Sequence, residues 1–439
     1  MASKSLNKPI IRHIVARGYA QAAPAVQRDV KLQTNVTANG TFTAALDNGS
    51  PVTRVTVAFK AGSRYEPVGE PGLAHVLRSA AGLTTGKASV FITARKLAQC
   101  GASVTASGDR EFIYYTLESS QENALPALQQ LTDLISCQEF RPWELSDNAP
   151  RLKYDIAGLP PQVRAVDLLH KAAFRRGVGN SLFISPRRVG KVSSETLQHY
   201  AANNLTTNRC AIVVVGDNLD KANLVAQTLS LPSSPSDSTK DVPTTYYGGE
   251  LRKEMGGDFA HVAIALQGAK AGTPQSLALA VASKALGNGP VTKWGADNTV
   301  LGKAIGNVGP FAAAGFNVSY SDGGLFGVVL TVPKDEAQKA VKAAANVLKK
   351  SSLSPEAIKA GKALLKLQVL DEAENGTVLA ESLAAQGLNG SAKTPNDIAN
   401  SIDSLSDSDI SQALASASKS KISIGAAGNL SFVPYADEL

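Results

Sequence analysis

The sequence predicts an α+β protein with two homologous domains, each a largely antiparallel sheet packed with helices, joined by a linker. Three observations predict this fold class. A chain of 439 residues with 44 % apolar composition is too long for one ordinary core and suits two or three domains. Segments that alternate like the strands of a hairpin lead into pairs of helices. The same order of elements then recurs in the second half of the chain.

In the first half, the elements follow the order strand, helix, hairpin, helix pair and strand. They are a strand over 55–59, a helix from Gly72, hairpin strands over 102–107 and 111–118 around Gly108-Asp109, a helix over 121–136, a helix starting at Pro142-Trp143-Glu144, and a strand over 211–215. Proline and an acidic residue suit the first turn of a helix, which supports the last helix start.

The second half repeats this order. Its elements are a strand over 261–266, a helix over 275–286, hairpin strands over 315–320 and 325–332 around Asp322-Gly323-Gly324, a helix over 335–350, a helix starting at Pro355-Glu356, and a strand over 422–426. We expect Asp-Gly-Gly to supply positive φ in the hairpin turn. Alternation along the first hairpin strand predicts that Phe316, Val318 and Tyr320 share one face.

The two halves are related by a nearly constant offset. Asn218 and Asn429 follow equivalent strands 211 residues apart, and Glu144 and Glu356 begin equivalent helices 212 residues apart. A period this long indicates duplicated domains and excludes a solenoid of short repeats. Between the halves, residues 231–249 are rich in Pro, Ser, Thr and Asp and lose apolar periodicity, which predicts a linker. The predicted domains are therefore 20–230 and 250–439.

Bulk composition excludes several classes of protein. The formal net charge is +7, but four cations in the first 19 residues account for more than half of it, and no basic stripe interleaved with aromatic residues predicts nucleic-acid binding. No apolar run approaches the roughly 20 residues of a membrane-spanning helix. The three cysteines, Cys100, Cys137 and Cys210, are widely spaced, so neither a disulfide framework nor a thiolate zinc site is predicted.

The first residues are typical of a mitochondrial transit peptide. Their first acidic residue is Asp29, and apolar residues between positions 10 and 15 can share a helical face opposite Arg12 and Arg17. Arg17 lies two residues before the Tyr19–Ala20 bond, a spacing that resembles sites cut by the matrix processing peptidase. We therefore expect residues 1–19 to be removed; the alternative is a basic tail that is kept.

Residues 59–82, FKAGSRYEPVGEPGLAHVLRSAAG, resemble the metal-site region of the pitrilysin-like metalloproteases, which include the mitochondrial processing peptidase and the core proteins of the ubiquinol–cytochrome c reductase. The resemblance covers essentially all of the chain after the transit peptide, and it implies two homologous α+β domains. Active members carry H-x-x-E-H on a helix, where two histidines at i and i+4 bind Zn²⁺ and the glutamate acts as general base. A glutamate from a later helix is the third ligand.

The matching positions here are His75, Arg78 and Ser79, and the distal carboxylate falls near Asp155. Arg78 cannot accept a proton near neutral pH, and neutral Ser79 is a poor zinc ligand. At best two ligands remain, so we expect neither zinc nor hydrolysis, and no catalytic residue or cofactor. For His75 the ordinary alternative is a buried, hydrogen-bonded histidine. Arg78 is expected either exposed on the helix or in an ion pair with Asp155.

Two branches of the family lack catalysis. The substrate-binding subunit of the processing peptidase has a loop of consecutive glycines, whereas the matching residues 286–295 have scattered glycines, stiffened by Pro290 and Trp294. Residues 315–327, with Asn317, Tyr320 and Asp322-Gly323-Gly324, closely resemble the hairpin of the reductase core proteins.

The resemblance to the core proteins implies a structural subunit. It would lie peripherally on the matrix side of the mitochondrial inner membrane and support assembly and dimer stability. Its partners would be core protein 1, other subunits of the bc1 complex and a second copy of itself, with no nucleic acid. The alternative is the substrate-binding, non-catalytic subunit of the processing peptidase.

Overall fold

The computed structural model describes residues 31–233, 243–287, 299–306, 308–350 and 352–439. It contains two sheets with helices packed against them, which confirms the predicted α+β class. The strands are β1 Leu32–Val36, β2 Phe42–Leu46, β3 Val52–Phe59, β4 Ser103–Gly108, β5 Ile113–Ser120, β6 Cys210–Val215, β7 Gly249–Glu254, β8 Phe259–Gln267, β9 Ala312–Ser319, β10 Gly324–Pro333 and β11 Ser423–Gly428.

The α-helices lie between and beyond these strands. They span Leu73–Ser79, Val90–Gln99, Ala124–Ser136, Pro142–Ala157, Pro161–Phe174, Ser194–Asn204, Leu219–Thr228, Pro274–Leu286, Val300–Ile305, Ala337–Lys349, Pro355–Glu374, Gly376–Leu388, Pro395–Ser404 and Asp407–Ser418. Within the described residues, no helix has the length and apolar character needed to cross a membrane.

The two sheets have the same topology. The first sheet has the order β1-β2-β6-β3-β5-β4 and the second has β7-β11-β8-β10-β9. In each sheet a single pair is parallel, β2 with β6 and β7 with β11, and the other pairs are antiparallel. The second sheet therefore repeats the first without β1, as expected for duplicated domains. The strands β1, β2 and β7 were not predicted from the sequence. The edge strands β1 and β7 are short and largely polar, and the five residues of β2, FTAAL, show no clear apolar alternation.

One detail of the predicted hairpin turn is wrong. Neither Gly323 nor Gly324 adopts positive φ. Instead, a Cβ atom on Gly324 would lie 2.6 Å from the Val318 carbonyl oxygen and 2.7 Å from that of Ala269. Glycine is required at position 324 because three backbone segments approach closely there, and the turn itself closes through a 2.7 Å hydrogen bond from the Tyr320 N–H to the Gly323 carbonyl.

Each half provides a helix that covers the sheet of the other half. Leu379 and Leu383 of the helix Gly376–Leu388 pack in one buried cluster with Val213 and Val215 of β6. Leu169 of the helix Pro161–Phe174 packs with residues of β8, β10 and β11. The two helices occupy nearly equivalent positions in the repeat, so the exchange is reciprocal. We call them the exchanged helices.

The exchange explains the composition of the strands that it covers. All six residues of β6 are buried, because alternate side chains enter the first-half core and the layer under the exchanged helix. In β11, a Cβ atom on Gly425 would lie 2.2 Å from the Ala165 carbonyl oxygen. The exchanged helix Pro161–Phe174 therefore rests directly on the backbone of β11.

Candidate functional site: the position of the metal site

The helix Leu73–Ser79 carries the residues that match the metal-binding motif. Its N-cap, Gly72, has φ 96°, and the Glu66 carboxylate accepts hydrogen bonds of 2.9 Å from the N–H groups of Gly72 and Ala74. Glu66 thus satisfies two free donors at the start of the helix and places a negative charge where the helix dipole favours it. Burial nevertheless raises the pKa of Glu66 to about 7.

His75 is buried and already hydrogen-bonded. Its Nδ1 accepts a hydrogen bond of 3.2 Å from the Ile184 N–H, so the ring proton of the neutral form lies on Nε2. The ring also packs edge-on against Phe183, with 5.7 Å between the ring centroids. Burial, together with the charge of Arg78, lowers the pKa of His75 to about 4. The ordinary alternative, a buried and hydrogen-bonded histidine, describes this side chain.

Asp155 lies beside His75, as the family pattern implies. One carboxylate oxygen is 3.8 Å from His75 Nε2, and the Asp155 side chain is about half exposed, at 46 %. The distance exceeds that of a hydrogen bond. The helix Pro142–Ala157 therefore still presents a carboxylate to the first histidine of the motif, but without a direct bond between them.

Arg78 follows neither of the two expectations for it. Its guanidinium donates to the carbonyl oxygens of Gly108, at 3.4 Å, and Leu182, at 3.2 Å, and it makes no ion pair with Asp155 in the described residues. Burial lowers the pKa of Arg78, although nearby carboxylates, Asp109 first, oppose that effect. Arg78 thus places a fixed cation between β4 and the segment after the exchanged helix Pro161–Phe174.

Ser79 has acquired a structural partner that the sequence did not reveal. Asn148 donates to the Ser79 hydroxyl at 2.8 Å and to the Ser79 carbonyl at 3.1 Å. Asn148 lies two helical turns before Asp155, on the same face of Pro142–Ala157. Asn148 is a polar residue in a largely polar stretch of its helix, so the sequence did not predict this contact. The bond ties together the two helices that would carry metal ligands in an active relative.

These residues form a set of packing contacts. One imidazole and one carboxylate remain near the motif, whereas a catalytic zinc takes three protein ligands and a water. The structure brings together all four sequence-predicted positions, His75, Arg78, Ser79 and Asp155. Within the described parts of the chain, no group of three or more His, Cys, Asp or Glu side chains is arranged to hold a metal ion.

The hairpin motif meets the first half at a second cluster of charges. Arg64 donates to both oxygens of Asp322, at 2.8 and 2.6 Å, and to Glu111 at 2.7 Å. Glu111 also accepts hydrogen bonds from Ser321, whose N–H and hydroxyl both donate to it. Asp322 in turn accepts a 2.8 Å hydrogen bond from the Thr244 N–H. This junction joins the segment after β3, the turn between β4 and β5, the second-half hairpin and the segment before β7.

Two other residues of the hairpin motif also make long-range contacts. The Tyr320 hydroxyl lies 2.8 Å from Nε2 of His170, on the exchanged helix Pro161–Phe174. Because His170 Nδ1 lies 2.7 Å from the Val166 carbonyl, Nδ1 carries the proton and Tyr320 donates. Asn317 donates to the Ser276 carbonyl at 3.2 Å. Phe316, Val318 and Tyr320 line one buried cluster, which confirms that they share a face.

Two predictions concern residues that the structure does not describe. The cleavage site at Arg17, Tyr19 and Ala20 precedes the first described residue, Lys31. Most of the glycine-containing segment 286–295 lies in the gap 288–298. Both remain predictions.

Family models match both halves of the chain. The model of the insulinase family, peptidase family M16, matches residues 43–185, and the model of the peptidase M16 inactive domain matches residues 191–365. A chain of the structure titled Complex III2 from Candida albicans, Inz-5 bound, has the same fold, with a TM-score of 0.76, 19 % identity, and coverage of 92 % of this chain and 98 % of that chain.

Curated relatives cover nearly the full length. Human mitochondrial cytochrome b-c1 complex subunit 2 is 34 % identical, with 91 % of this chain and 90 % of the relative covered. The alpha subunit of the mitochondrial processing peptidase from Solanum tuberosum is 25 % identical, with coverage of 93 % and 84 %. The chain therefore belongs to the insulinase family of peptidases, M16, and within it is a relative of mitochondrial cytochrome b-c1 complex subunit 2.

Proposed function

We propose that this chain is a non-catalytic, structural core subunit of the mitochondrial ubiquinol–cytochrome c reductase, the cytochrome b-c1 complex. The observation that carries the proposal is that the motif side chains of the metal-site helix make packing contacts and hydrogen bonds within the protein. Arg78 binds two carbonyl oxygens and Ser79 binds Asn148. The 34 % identity to human subunit 2 over 410 residues supports the same assembly.

The chain holds no zinc and hydrolyses no peptide. A zinc ion next to His75 would face the guanidinium of Arg78, whose positive charge opposes a second cation. The position of the general base is held by a group that does not release its proton near neutral pH. Ser79 offers only a neutral hydroxyl, which is already hydrogen-bonded. One histidine and the half-exposed Asp155 are too few ligands for a catalytic site.

The chain acts through its surfaces. It lies peripherally on the matrix side of the inner membrane, pairs with core protein 1, contacts other subunits of the complex and meets a second copy of itself across the dimer. Residues 1–19 direct import and are removed at Tyr19–Ala20, and the mature chain has domains 20–230 and 250–439 joined by 231–249. The uniformly basic start of the chain supports this processing.

The alternative is the substrate-binding subunit of the processing peptidase. The 25 % identity to the alpha subunit from Solanum tuberosum favours it. It has less support, since the identity to b-c1 complex subunit 2 is higher, at 34 %, and since Pro290 and Trp294 interrupt the run of glycines.

A native gel of mitochondria solubilised in mild detergent, probed for this chain, separates the two functions. We expect the chain to migrate with the cytochromes of the reductase at several hundred kilodaltons. A soluble species near 100 kilodaltons, about two chains of this size, would favour the processing peptidase. The zinc content of the protein purified from the same gel tests the proposed loss of zinc binding. Stoichiometric zinc that is lost in a His75→Ala variant would contradict the loss of the metal site.

A further inference from the structure

A cavity of about 400 Å³ lies beside the metal-site helix, on the side from which Arg78 projects. Its wall is formed by Val90, Thr93, Ala94 and Leu97 of the helix Val90–Gln99, together with the edge strand β4 and Leu134. Most of these side chains are apolar or present methyl groups. The cavity is therefore a solvent-accessible recess with somewhat more apolar than polar wall.

Two arginines and no carboxylate line this recess. Arg78 approaches from the metal-site helix and Arg151 from the helix Pro142–Ala157. Both guanidinium charges lower the pKa of His75, so both lie within electrostatic reach of the same imidazole. The acidic side chains nearest to Arg78, such as Asp109, are absent from the lining. The lining thus presents two guanidinium groups and no carboxylate, and Asp109, Glu66 and Asp155 act on Arg78 from outside it.

The two arginines differ in how they are held. Arg78 is fixed by the carbonyls of Gly108 and Leu182. Its Cδ packs closely against Gly108, since a Cβ atom at position 108 would lie 2.9 Å from that Cδ. Arg151 is exposed, and within the described part of the chain its side chain makes no hydrogen bond or ion pair. A guanidinium presents a planar fork of donors that matches a carboxylate. The recess is thus lined by one arginine that backbone carbonyls hold in place and by one whose side chain is unengaged.

We propose that this recess binds a carboxylate attached to an apolar body, with the carboxylate at Arg151 and Arg78 and the body against Leu97, Val104 and Ala106. The chemistry fits a free aliphatic acid and equally the C-terminal carboxylate of a peptide that ends in an apolar residue. Apolar burial supplies the driving force, and the charge-assisted hydrogen bonds select for the anion. The site does not depend on which assembly the chain joins.

The test is photolabelling of the intact assembly, purified through a tag on this chain, with a decanoate that carries a diazirine near the end of its tail. We expect the label on the helix Val90–Gln99 or on β4, located by peptide mass spectrometry. Octanoate should compete, whereas methyl octanoate should not. Competition by Ala-Ala-Leu but not by its C-terminal amide would identify a peptide end as the source, and competition by octanoate alone would identify a free acid.

Variants connect the label to the two features of the site. Arg151→Gln should reduce labelling at least tenfold without affecting folding, because Arg151 is exposed and unpaired. Ala94→Trp, which places a large side chain in the lining of the recess, should also reduce labelling. Lys153→Gln is the matched control, since Lys153 lies exposed on the same helix but outside the lining, and it should label like the wild type. Equal labelling of wild type and Arg151→Gln, equal competition by the ester, or a label outside the recess would overturn the proposal.

Discussion

Arg64 and Asp322 form a two-pronged ion pair that joins the two halves of the chain. The guanidinium of Arg64, whose side chain is 2 % exposed, donates to both carboxylate oxygens of Asp322, which is 258 residues away in sequence. Glu111 binds the same guanidinium at 2.7 Å. Arg64 belongs to the metal-site region 59–82 and Asp322 to the hairpin motif 315–327, so the two segments that carry the family resemblance bind each other.

Replacing Arg64 should destabilise the protein strongly. In Arg64→Met, Glu111 is left buried without its cation, so we expect the free energy of unfolding to fall by about 3–5 kcal/mol. Arg188→Met is the matched control, because Arg188 pairs with Glu70 near the surface, and it should cost less than about 1 kcal/mol. Urea denaturation followed by circular dichroism measures both. Similar costs for the two variants would show that the Arg64 junction contributes little.

The Asp322 side of the junction should be sensitive to acid. Burial by itself raises the pKa of Asp322, but the hydrogen bonds from Arg64 and Thr244 outweigh it and lower this pKa below its usual value. A carboxylate with a lowered pKa stabilises the fold above its unfolded pKa, near 4, and this contribution is lost as the pH falls through the folded pKa. The stability difference between wild type and Asp322→Asn should therefore be constant from pH 5 to 7 and shrink below pH 4. A constant difference down to pH 3 would contradict this linkage.

Glu66 should give the opposite pH dependence. Its folded pKa of about 7 exceeds the ordinary value of 4.5, so its contribution is fully present below pH 4.5 and is lost as the pH rises through 7. We expect this group alone to lower stability by about 3 kcal/mol between pH 4.5 and pH 8.

The Glu66→Gln variant isolates this effect, although it loses one of the two capping hydrogen bonds. Thermal unfolding from pH 5 to 8 should show a flatter pH dependence for Glu66→Gln than for wild type. Glu70→Gln, a nearby and more exposed change, should retain the wild-type dependence. If both variants follow the wild type, Glu66 is ionised in the folded protein at pH 5.

The hairpin offers two adjacent glycines with different surroundings. Gly324→Ala would place a Cβ atom 2.6 Å from a backbone oxygen, whereas the nearest atom to a Cβ on Gly323 is a Thr244 methyl carbon at 3.3 Å. We expect Gly324→Ala to cost about 1–3 kcal/mol and Gly323→Ala clearly less. Urea denaturation of the two variants compares their free energies of unfolding. Equal costs would mean that the hairpin can shift to admit a methyl group at position 324.

Restoring the motif should restore metal binding. A double variant, Arg78→Glu with Ser79→His, removes the cation and supplies a second imidazole four residues after His75, with Asp155 already 3.8 Å from the first. We expect this variant to bind Zn²⁺ in equilibrium dialysis where the wild type binds none. Ser79→His alone is the control and should bind far more weakly, because Arg78 still repels the ion. Equal Zn²⁺ binding by the double variant and by Ser79→His alone would show that repulsion by Arg78 is not the reason for the loss of the metal site.

The sequence predicted the general architecture well, because apolar alternation and helix starts are local signals. Pro142 and Pro355 begin helices as expected, and the repeat offset anticipated two sheets of one topology. The motif also located His75, Arg78, Ser79 and Asp155 in one place. What a motif does not encode is the partner of each side chain. Asn148 binds Ser79 from another helix, and Glu111 binds Arg64 across 47 residues.

Arg78 shows why such partners cannot be predicted from the sequence. Its charge suggested a carboxylate partner, but in the fold it binds two backbone carbonyls that lie 30 and 104 residues away. Backbone acceptors have no residue type and leave no pattern. The glycines of the hairpin were misjudged for a related reason, since a close approach between backbones depends on tertiary packing alone.

The exchanged helices hold the two halves together independently of the linker. Because Pro161–Phe174 rests on the second sheet and Gly376–Leu388 on the first, neither half can unfold without uncovering an apolar face of the other. The covalent connection is then dispensable for integrity. A chain cut by a protease between residues 233 and 243 should keep its two fragments together in gel filtration and melt in a single transition.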